Sequence, residues 1–212
     1  MTYLEKAEKA KQLIWDSYKK YPDIVVGSSF GKDSMVTLHL IKEALHGVLM
    51  PVFGIMANTE FQETYDFANM IAKDWNLDYK EHRFSQESDD IAKCCGAPKV
   101  QSTKDALKGV SAWISGVRRT EGITRADFQE IEERGGLIKV NPIVDFTELD
   151  VWRYLALNGI PVNPKYKEGY RSLGCALCSY PEENENETER AGRWKGTDKA
   201  CGECGIHTAT LR

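Results

Sequence analysis

The chain has 212 residues, of which 42% are hydrophobic and 28% charged, and its formal net charge is −4. That length suits one domain with a substantial core, and the slightly acidic balance argues against a broad nucleic-acid-binding surface. No apolar run approaches the roughly 18 residues of a membrane span, and the charged N-terminus lacks a secretory signal. We therefore expect a cytoplasmic protein that binds neither nucleic acid nor membrane.

Hydrophobic periodicity predicts helices that alternate with strands along the chain. An amphipathic helix at 2–20 comes first, and the β-branched run "DIVVGSS" follows it as a buried strand. The later elements are, in chain order, a helix at 32–45, a strand in 48–59, a helix at 63–75, a strand at 77–84, a short helix from Thr103 leading into a strand that ends at Gly116, a short strand after Leu137, and a helix capped by Asp145 or Thr147. This alternation is typical of an α/β fold with a mostly parallel sheet flanked by helices.

The segment after Cys178 differs in composition from the rest of the chain. It is polar, contains several glycines and shows no sustained hydrophobic period. We therefore predict a domain at 1–180 and a mobile C-terminal tail at 181–212.

The segment "SSFGKDS" (28–34) lies between the first predicted strand and the helix after it. Small residues let backbone N–H groups approach a phosphate or sulfate, the helix dipole favours negative charge, and Lys32 adds a cation. It is not a Walker A loop, because G-x-x-x-x-G-K-[ST] is absent; a tight turn with a capping serine is the alternative. The candidate substrate-binding residues of this loop are Ser28, Ser29, Gly31, Lys32, Asp33 and Ser34.

The loop resembles the PP-loop shared by the adenosine 5′-phosphosulfate (APS) and phosphoadenosine phosphosulfate (PAPS) reductases and by the PP-loop ATP pyrophosphatases. Further segments resemble the reductases, in family order: "NTEFQETYDF" (58–67), "WISGVRRTEGITRA" (113–126), the stretch from "NPIVDF" to "GCALC" (141–178), and "ERAGRW" and "ECGIH" in the tail. The first of these departs from the family pattern at Asn58 and Glu60. The resemblance implies the fold of the PP-loop adenine nucleotide alpha hydrolases and places Thr59 beside the nucleotide.

The six cysteines form three close pairs: Cys94–Cys95, Cys175–Cys178 and Cys201–Cys204. A reducing compartment disfavours structural disulfides, so close pairs indicate metal or redox chemistry. The last two pairs are close to a zinc-ribbon pattern. Alternatively, Cys94, Cys95, Cys175 and Cys178 could supply the four thiolates of a 4Fe–4S cluster, in which adjacent ligands can serve separate iron atoms. The resemblance to cluster-bearing APS reductases favours the cluster.

The resemblance also implies an activity: thioredoxin-dependent reduction of APS to sulfite and AMP in sulfate assimilation, through an S-sulfocysteine intermediate. Cys204 of "ECGIH" would be the nucleophile, and a thioredoxin-like dithiol the electron donor. The residues that would bind the phosphosulfate are Lys99, Arg125, Arg190 and Arg193.

Three questions stay open at this point. The loop "SSFG" resembles that of cluster-free PAPS reductases, and Lys32 could meet the extra phosphate of PAPS. "GKDS" is also found in PP-loop ATP pyrophosphatases that act in sulfur transfer to nucleic acid. The pair "CGEC" departs from the family's single tail cysteine, so Cys201 could resolve an intermediate on Cys204.

Assembly into a homo-oligomer is compatible with the sequence.

Overall fold

A computed structural model describes residues 1–85, 96–182, 184, 186–197, 202–203, 205–207 and 211. These residues form one six-stranded sheet with the strand order β3-β2-β1-β4-β6-β5. The strands are β1 (Ile24–Gly27), β2 (Val52–Ala57), β3 (Tyr79–Phe84), β4 (Ala112–Ile114), β5 (Ile131–Arg134) and β6 (Leu137–Val140). All pairs are parallel except β5 with β6, which confirms the predicted mostly parallel sheet.

Five α-helices precede, connect or follow these strands in the described part of the chain. They are α1 (Tyr3–Lys20), α2 (Lys32–Ala44), α3 (Gln62–Asp74), α4 (Ala97–Ala106) and α5 (Glu148–Leu157). Capping boxes begin α1 at Thr2 and α5 at Thr147, so Thr147 rather than Asp145 caps the last helix. None of these helices combines the length and apolar character that a membrane span requires.

The structure differs from the predicted elements in three places. Helix α4 begins at Ala97 rather than at Thr103, and Pro98 in its first turn has the backbone angle that a helix start favours. Strand β4 ends at Ile114, before Gly116. Strand β5 was not predicted; it forms a hairpin with β6 through two glycines that both have positive φ.

The chain order of the strands places a topological switch beside β1. The chain runs outward from β1 through β2 to β3, then returns to β4 on the other side of β1. Helices α1, α2, α3 and α5 pack in one core that covers one face of the sheet, and α4 lies over the other. Ligands bind at such switch points, at the carboxyl edge of the sheet.

The segment 186–197 packs against the domain. Trp194 is fully buried, Arg190 and Arg193 are almost so, and Arg193 forms a β-bridge with Ser179. Farther along, Leu211 lies in the core between α4 and the sheet. Residues 189–194 and Leu211 are therefore held against the sheet's domain, although the composition around them is that of a tail.

Candidate active site

A cavity of about 140 Å³ opens at the carboxyl edge of the sheet, at the switch between β1 and β4. Its walls include Trp113 of β4, the segment 115–117 that follows it, and Phe53 and Ile55 of β2. Eight of the predicted substrate-binding residues line it: Ser28, Ser29, Gly31, Asp33, Ser34, Lys99, Arg125 and Arg190. The structure therefore brings together residues from the PP-loop, from α4, from the middle of the chain and from the segment after 180.

Serine hydroxyls shape the loop between β1 and α2. The Ser28 hydroxyl accepts a hydrogen bond from the amide of Phe30 at 3.2 Å, and the Ser34 hydroxyl accepts one from the amide of Ser29 at 3.2 Å. Between them Phe30 takes a left-handed backbone conformation (φ 53°), uncommon for a residue with a Cβ. The N-cap of α2 is Gly31, which lines the cavity, so the positive end of the helix dipole lies at the cavity wall.

Lys32 lies beneath the loop and does not line the cavity. Its side chain is 1% exposed, and its ammonium group is 2.7 Å from the carbonyl oxygen of Arg171 and 2.9 Å from Glu189. Arg118, also fully buried, contacts Asp33 at 2.6 Å and Glu189 at 2.5 Å. Burial opposes the charge on Lys32, but Asp33 and Glu189 raise its pKa above the ordinary value. The structure thus gives Lys32 a supporting position under the loop.

Arg125 and Arg190 meet at the cavity with residues of the "CGEC" segment. Arg125 donates from Nε to Glu203 at 2.7 Å and from Nη1 to Glu121. Arg190 donates from Nη2 to the carbonyl oxygen of Gly202 at 2.7 Å. Its Nε is buried and has no hydrogen-bond partner within the described residues. A buried cationic donor in a cavity wall is suited to an anionic ligand.

His207 forms another part of the wall. Its ring stacks on Trp113, with 5.8 Å between centroids and 5° between planes. Burial holds the pKa of His207 well below its ordinary value, so the imidazole is neutral at neutral pH. Its buried Nδ1 has no hydrogen-bond partner in the described part of the chain. The imidazole can therefore serve the cavity as a neutral hydrogen-bonding group.

Cys175 and Cys178 lie together beside the ends of β2 and β3. Their sulfur atoms are 3.3 Å apart, well beyond the roughly 2 Å of a disulfide. Both are buried in an apolar cluster with Phe84 and Trp194. Arg193 donates to the Cys178 sulfur at 3.2 Å and is absent from the cavity wall. A cation that donates to sulfur stabilises a thiolate, the form in which cysteine binds metals.

This pair fits half of the predicted cluster site. Two convergent soft donors, an apolar shell and a donor to sulfur are the environment that iron–sulfur ligation uses. The other predicted ligands, Cys94 and Cys95, lie outside the described residues, as do Cys201 and Cys204. Within the described ranges, no three His, Cys, Asp or Glu side chains form a metal-binding group.

Lys99 lines the cavity and acts electrostatically on Glu60. Burial favours the neutral form of Glu60 and raises its pKa, whereas the charges of Lys99 and Arg193 oppose that shift and the charge of Cys178 adds to it. Burial outweighs these cations and raises the pKa of Glu60 to about 7. Thr59 is not in the wall of the described cavity; its carbonyl oxygen accepts the amide of Ala176, between the two cysteines, at 2.9 Å.

Sequence reasoning missed the carboxylates that organise these cations. Glu189 and Glu203 lie beside Arg190 and Cys204, in two segments already noted as motifs, so they could have been proposed as ion-pair partners. Tyr166, in the noted "IPVNPKY" turn, accepts the first amide of α2 at 2.8 Å and lines the cavity. No sequence signal marks Arg118 as the partner of Asp33.

Comparisons with known proteins identify related sequences. The family model described as "Phosphoadenosine phosphosulfate reductase domain" matches residues 23–181. An adenosine 5′-phosphosulfate reductase of Oceanobacillus iheyensis is 35% identical, over 94% of this chain and 88% of that protein. One of Salinibacter ruber is 31% identical, over 93% of this chain and 82% of that protein.

A solved structure shares the fold. It is the phosphate complex of PAPS reductase from Candida auris, with a TM-score of 0.63 and 21% identity, over 79% of this chain and 88% of that one. The expected fold is thereby confirmed.

Proposed function

The chain belongs to the phosphoadenosine phosphosulfate reductase family, and we propose that it reduces APS to sulfite and AMP in sulfate assimilation, with a thioredoxin-like dithiol as reductant. The observation that carries this proposal is the composition of the cavity at the switch point. There the PP-loop and two arginines converge with Ile206 and His207 of the tail motif "ECGIH". The relatives named APS reductases support the choice of substrate.

The first chemical step transfers the sulfonate group to the enzyme. The Cys204 thiolate attacks the sulfur of APS, the bond from sulfur to the bridging phosphate oxygen breaks, and AMP leaves with the electron pair. The product on the enzyme is an S-sulfocysteine. Arg125, Arg190 and Lys99 neutralise the charge on the phosphosulfate and on the departing phosphate, because all three line the cavity.

The second step releases sulfite and regenerates the Cys204 thiolate. One thiolate of the dithiol attacks the Cys204 sulfur, sulfite leaves, and the second thiol resolves the mixed disulfide. We extend this to Cys201, which could perform the attack from within the chain and leave a Cys201–Cys204 disulfide for the external reductant. Full thioredoxin-dependent turnover by Cys201→Ser would remove that role.

We propose that Cys94, Cys95, Cys175 and Cys178 hold a 4Fe–4S cluster. It would supply a fixed electrostatic and structural element beside Lys99, without a required redox change. Arg193, which donates to the Cys178 sulfur, would tune this site rather than bind sulfate.

The position of Lys32 favours APS over PAPS. A cation recruited to a 3′-phosphate must reach the cavity, but Lys32 is 1% exposed and already paired with Glu189 and Asp33. The preference is tested by kcat/KM for the two nucleotides with thioredoxin and its reductase. We expect APS to be preferred, and preference for PAPS would reject this assignment.

Single-turnover chemistry tests the reaction itself. Anaerobically purified protein mixed with APS alone should release AMP and gain the mass of one SO₃ group on Cys204, with about four iron atoms per chain. Cys204→Ser should release no AMP. Release of pyrophosphate from ATP, with no sulfite from APS, would instead identify a PP-loop pyrophosphatase; one zinc and no iron would reject the cluster.

A further inference from the structure

The carboxylate of Glu203 lies between two arginines of the cavity wall. It accepts from Nε of Arg125 at 2.7 Å and is 3.6 Å from Nη2 of Arg190. The three side chains are 4–7% exposed, so these contacts are shielded from water. Arg190 also holds the carbonyl oxygen of Gly202 at 2.7 Å. Residues 202–203 are thus docked on the two arginines.

The same guanidinium groups are the ones proposed above to bind the phosphosulfate. Arg125 already gives Nη1 to Glu121 and Nε to Glu203, so an incoming oxyanion meets a donor set that carboxylates occupy. A single N–H cannot make two full hydrogen bonds at once. An oxyanion that uses Nε of Arg125 must therefore share that donor with Glu203 or replace it.

The Glu203 carboxylate is ionised where it lies between Arg125 and Arg190. Burial opposes its ionisation, but Arg125 and Arg190 together hold its pKa below the ordinary value. Ionised carboxylates and phosphate or sulfate oxygens use the same guanidinium geometry. In the described structure, Nε of Arg190 is buried without a hydrogen-bond partner, which leaves one donor that Glu203 does not use.

We propose that Glu203 is a resident carboxylate that competes with the anionic end of the substrate for Arg125 and Arg190, so that substrate binding displaces residues 202–203 from these arginines. This proposal rests on the proposed function. Glu203 directly precedes Cys204 in the chain, so the arrival of the anion would release the segment that carries the nucleophile. Substrate entry and movement of the nucleophile would be coupled through one carboxylate.

The competing interpretation predicts the opposite change in APS affinity when the charge of Glu203 is removed. If Glu203 instead orients the arginines for the substrate and stays in place, removing its charge weakens substrate binding. If it competes, removing its charge strengthens binding. The affinity of a Glu203→Gln variant therefore separates the two interpretations.

The experiment measures APS binding without turnover, in a Cys204→Ser background, by isothermal titration calorimetry. We expect Glu203→Gln to lower the Kd of APS about tenfold, or about 1.4 kcal/mol, because one charge-assisted hydrogen bond no longer has to be broken. The matched control, Glu187→Gln, removes one exposed carboxylate from the segment after 180 and should leave Kd within about twofold.

A second variant, Glu203→Asp, tests the proposal if Glu203→Gln folds poorly. Glu203→Asp keeps the charge but shortens its reach, so its Kd should lie between those of the background and of Glu203→Gln. An unchanged or weakened affinity in Glu203→Gln, with an unchanged melting temperature, would overturn the proposal. Failure of the Cys204→Ser background itself to bind APS would instead reject the proposed function.

Discussion

Glu189 offers a sharp test of the ion network beneath the PP-loop, because one carboxylate there neutralises two buried cations. It lies 2.9 Å from Lys32 and 2.5 Å from Arg118, both 1% exposed or less. Together with Asp33 these side chains form a neutral set of two cations and two anions. Glu189→Gln leaves its shape nearly unchanged but gives the set a net positive charge.

The loss in the free energy of unfolding expected for Glu189→Gln follows from the burial of the remaining charges. Removing one partner of a buried ion pair costs about 3–5 kcal/mol, because the remaining charge has no compensation in a poorly solvated site. For a chain of 212 residues, an unfolding entropy of about 2.1 cal/mol/K per residue amounts to about 0.45 kcal/mol/K. We therefore expect the melting temperature of Glu189→Gln to fall by about 7–11 °C in calorimetry.

A double variant tests the cause. Lys32→Met alone leaves an excess negative charge, whereas Lys32→Met with Glu189→Gln restores neutrality around Arg118 and Asp33. The destabilisation in the double variant should be at least about 2 kcal/mol smaller than the sum of the single effects.

An exposed pair provides the control for this cycle. Glu8→Gln breaks a contact with Lys11, and because the two side chains are 72% and 30% exposed it should cost no more than about 1 kcal/mol. Strict additivity in the cycle, or a melting temperature of Glu189→Gln within about 2 °C of the unmodified protein, would refute the reasoning.

Two further predictions concern the surroundings of the cysteine pair. The pKa of Glu60 is about 7 in the folded protein against about 4.5 ordinarily, so between these values the folded state keeps a proton that the unfolded chain has lost. The free energy of unfolding should fall by at most about 3–4 kcal/mol as pH rises through that window. In melting curves Glu60→Gln should lose this dependence, and Glu43→Gln, at an exposed position, should retain it. Arg193→Gln removes the donor to the Cys178 sulfur, so the iron bound per chain should decrease severalfold after anaerobic purification. Lys195→Gln, in the same segment, is the control and should leave the iron content unchanged. Unchanged iron in Arg193→Gln would show that Arg193 does not support the cluster site.

The PP-loop could be located from the sequence because its signal is local. A β-branched strand, small residues and an amphipathic helix follow one another within 24–44, and each is visible in periodicity or side-chain size. Hydrophobic patterning likewise indicates which residues face the core. The cavity at the carboxyl end of β1 then follows from the general geometry of parallel sheets.

The role of Lys32 could not be predicted in the same way. In the sequence it is a cation in an anion-binding loop; in the structure its charge is matched by Glu189, more than 150 positions later. Arg118 reaches the same carboxylate over a separation of 71 residues. Such pairings depend on tertiary contacts that composition and spacing do not encode.

Strand β5 and the buried contacts of residues 189–194 were not predicted, because both segments are rich in polar side chains. Residues Ile131–Arg134 contain three charged side chains and form a strand by pairing with β6 at the edge of the sheet. In the later segment, Trp194 is fully buried and Glu189 is tied to Lys32 and Arg118. A few buried contacts are enough to hold a polar segment in place.

The buried cations around the site fall into two groups that differ in where their carboxylate partners come from. One group supports the PP-loop, and the other lines the cavity. Arg118 is paired with Asp33 of α2 and with Glu189, whose segment is fixed by the buried Trp194. A substrate anion would have to disrupt the core to recruit that arginine. Arg125 and Arg190 instead share Glu203 near the end of the chain and line the cavity. Under the proposal made above, a substrate anion replaces their partner at the cost of a few contacts, so substrate binding and release of Glu203 depend on the same two arginines.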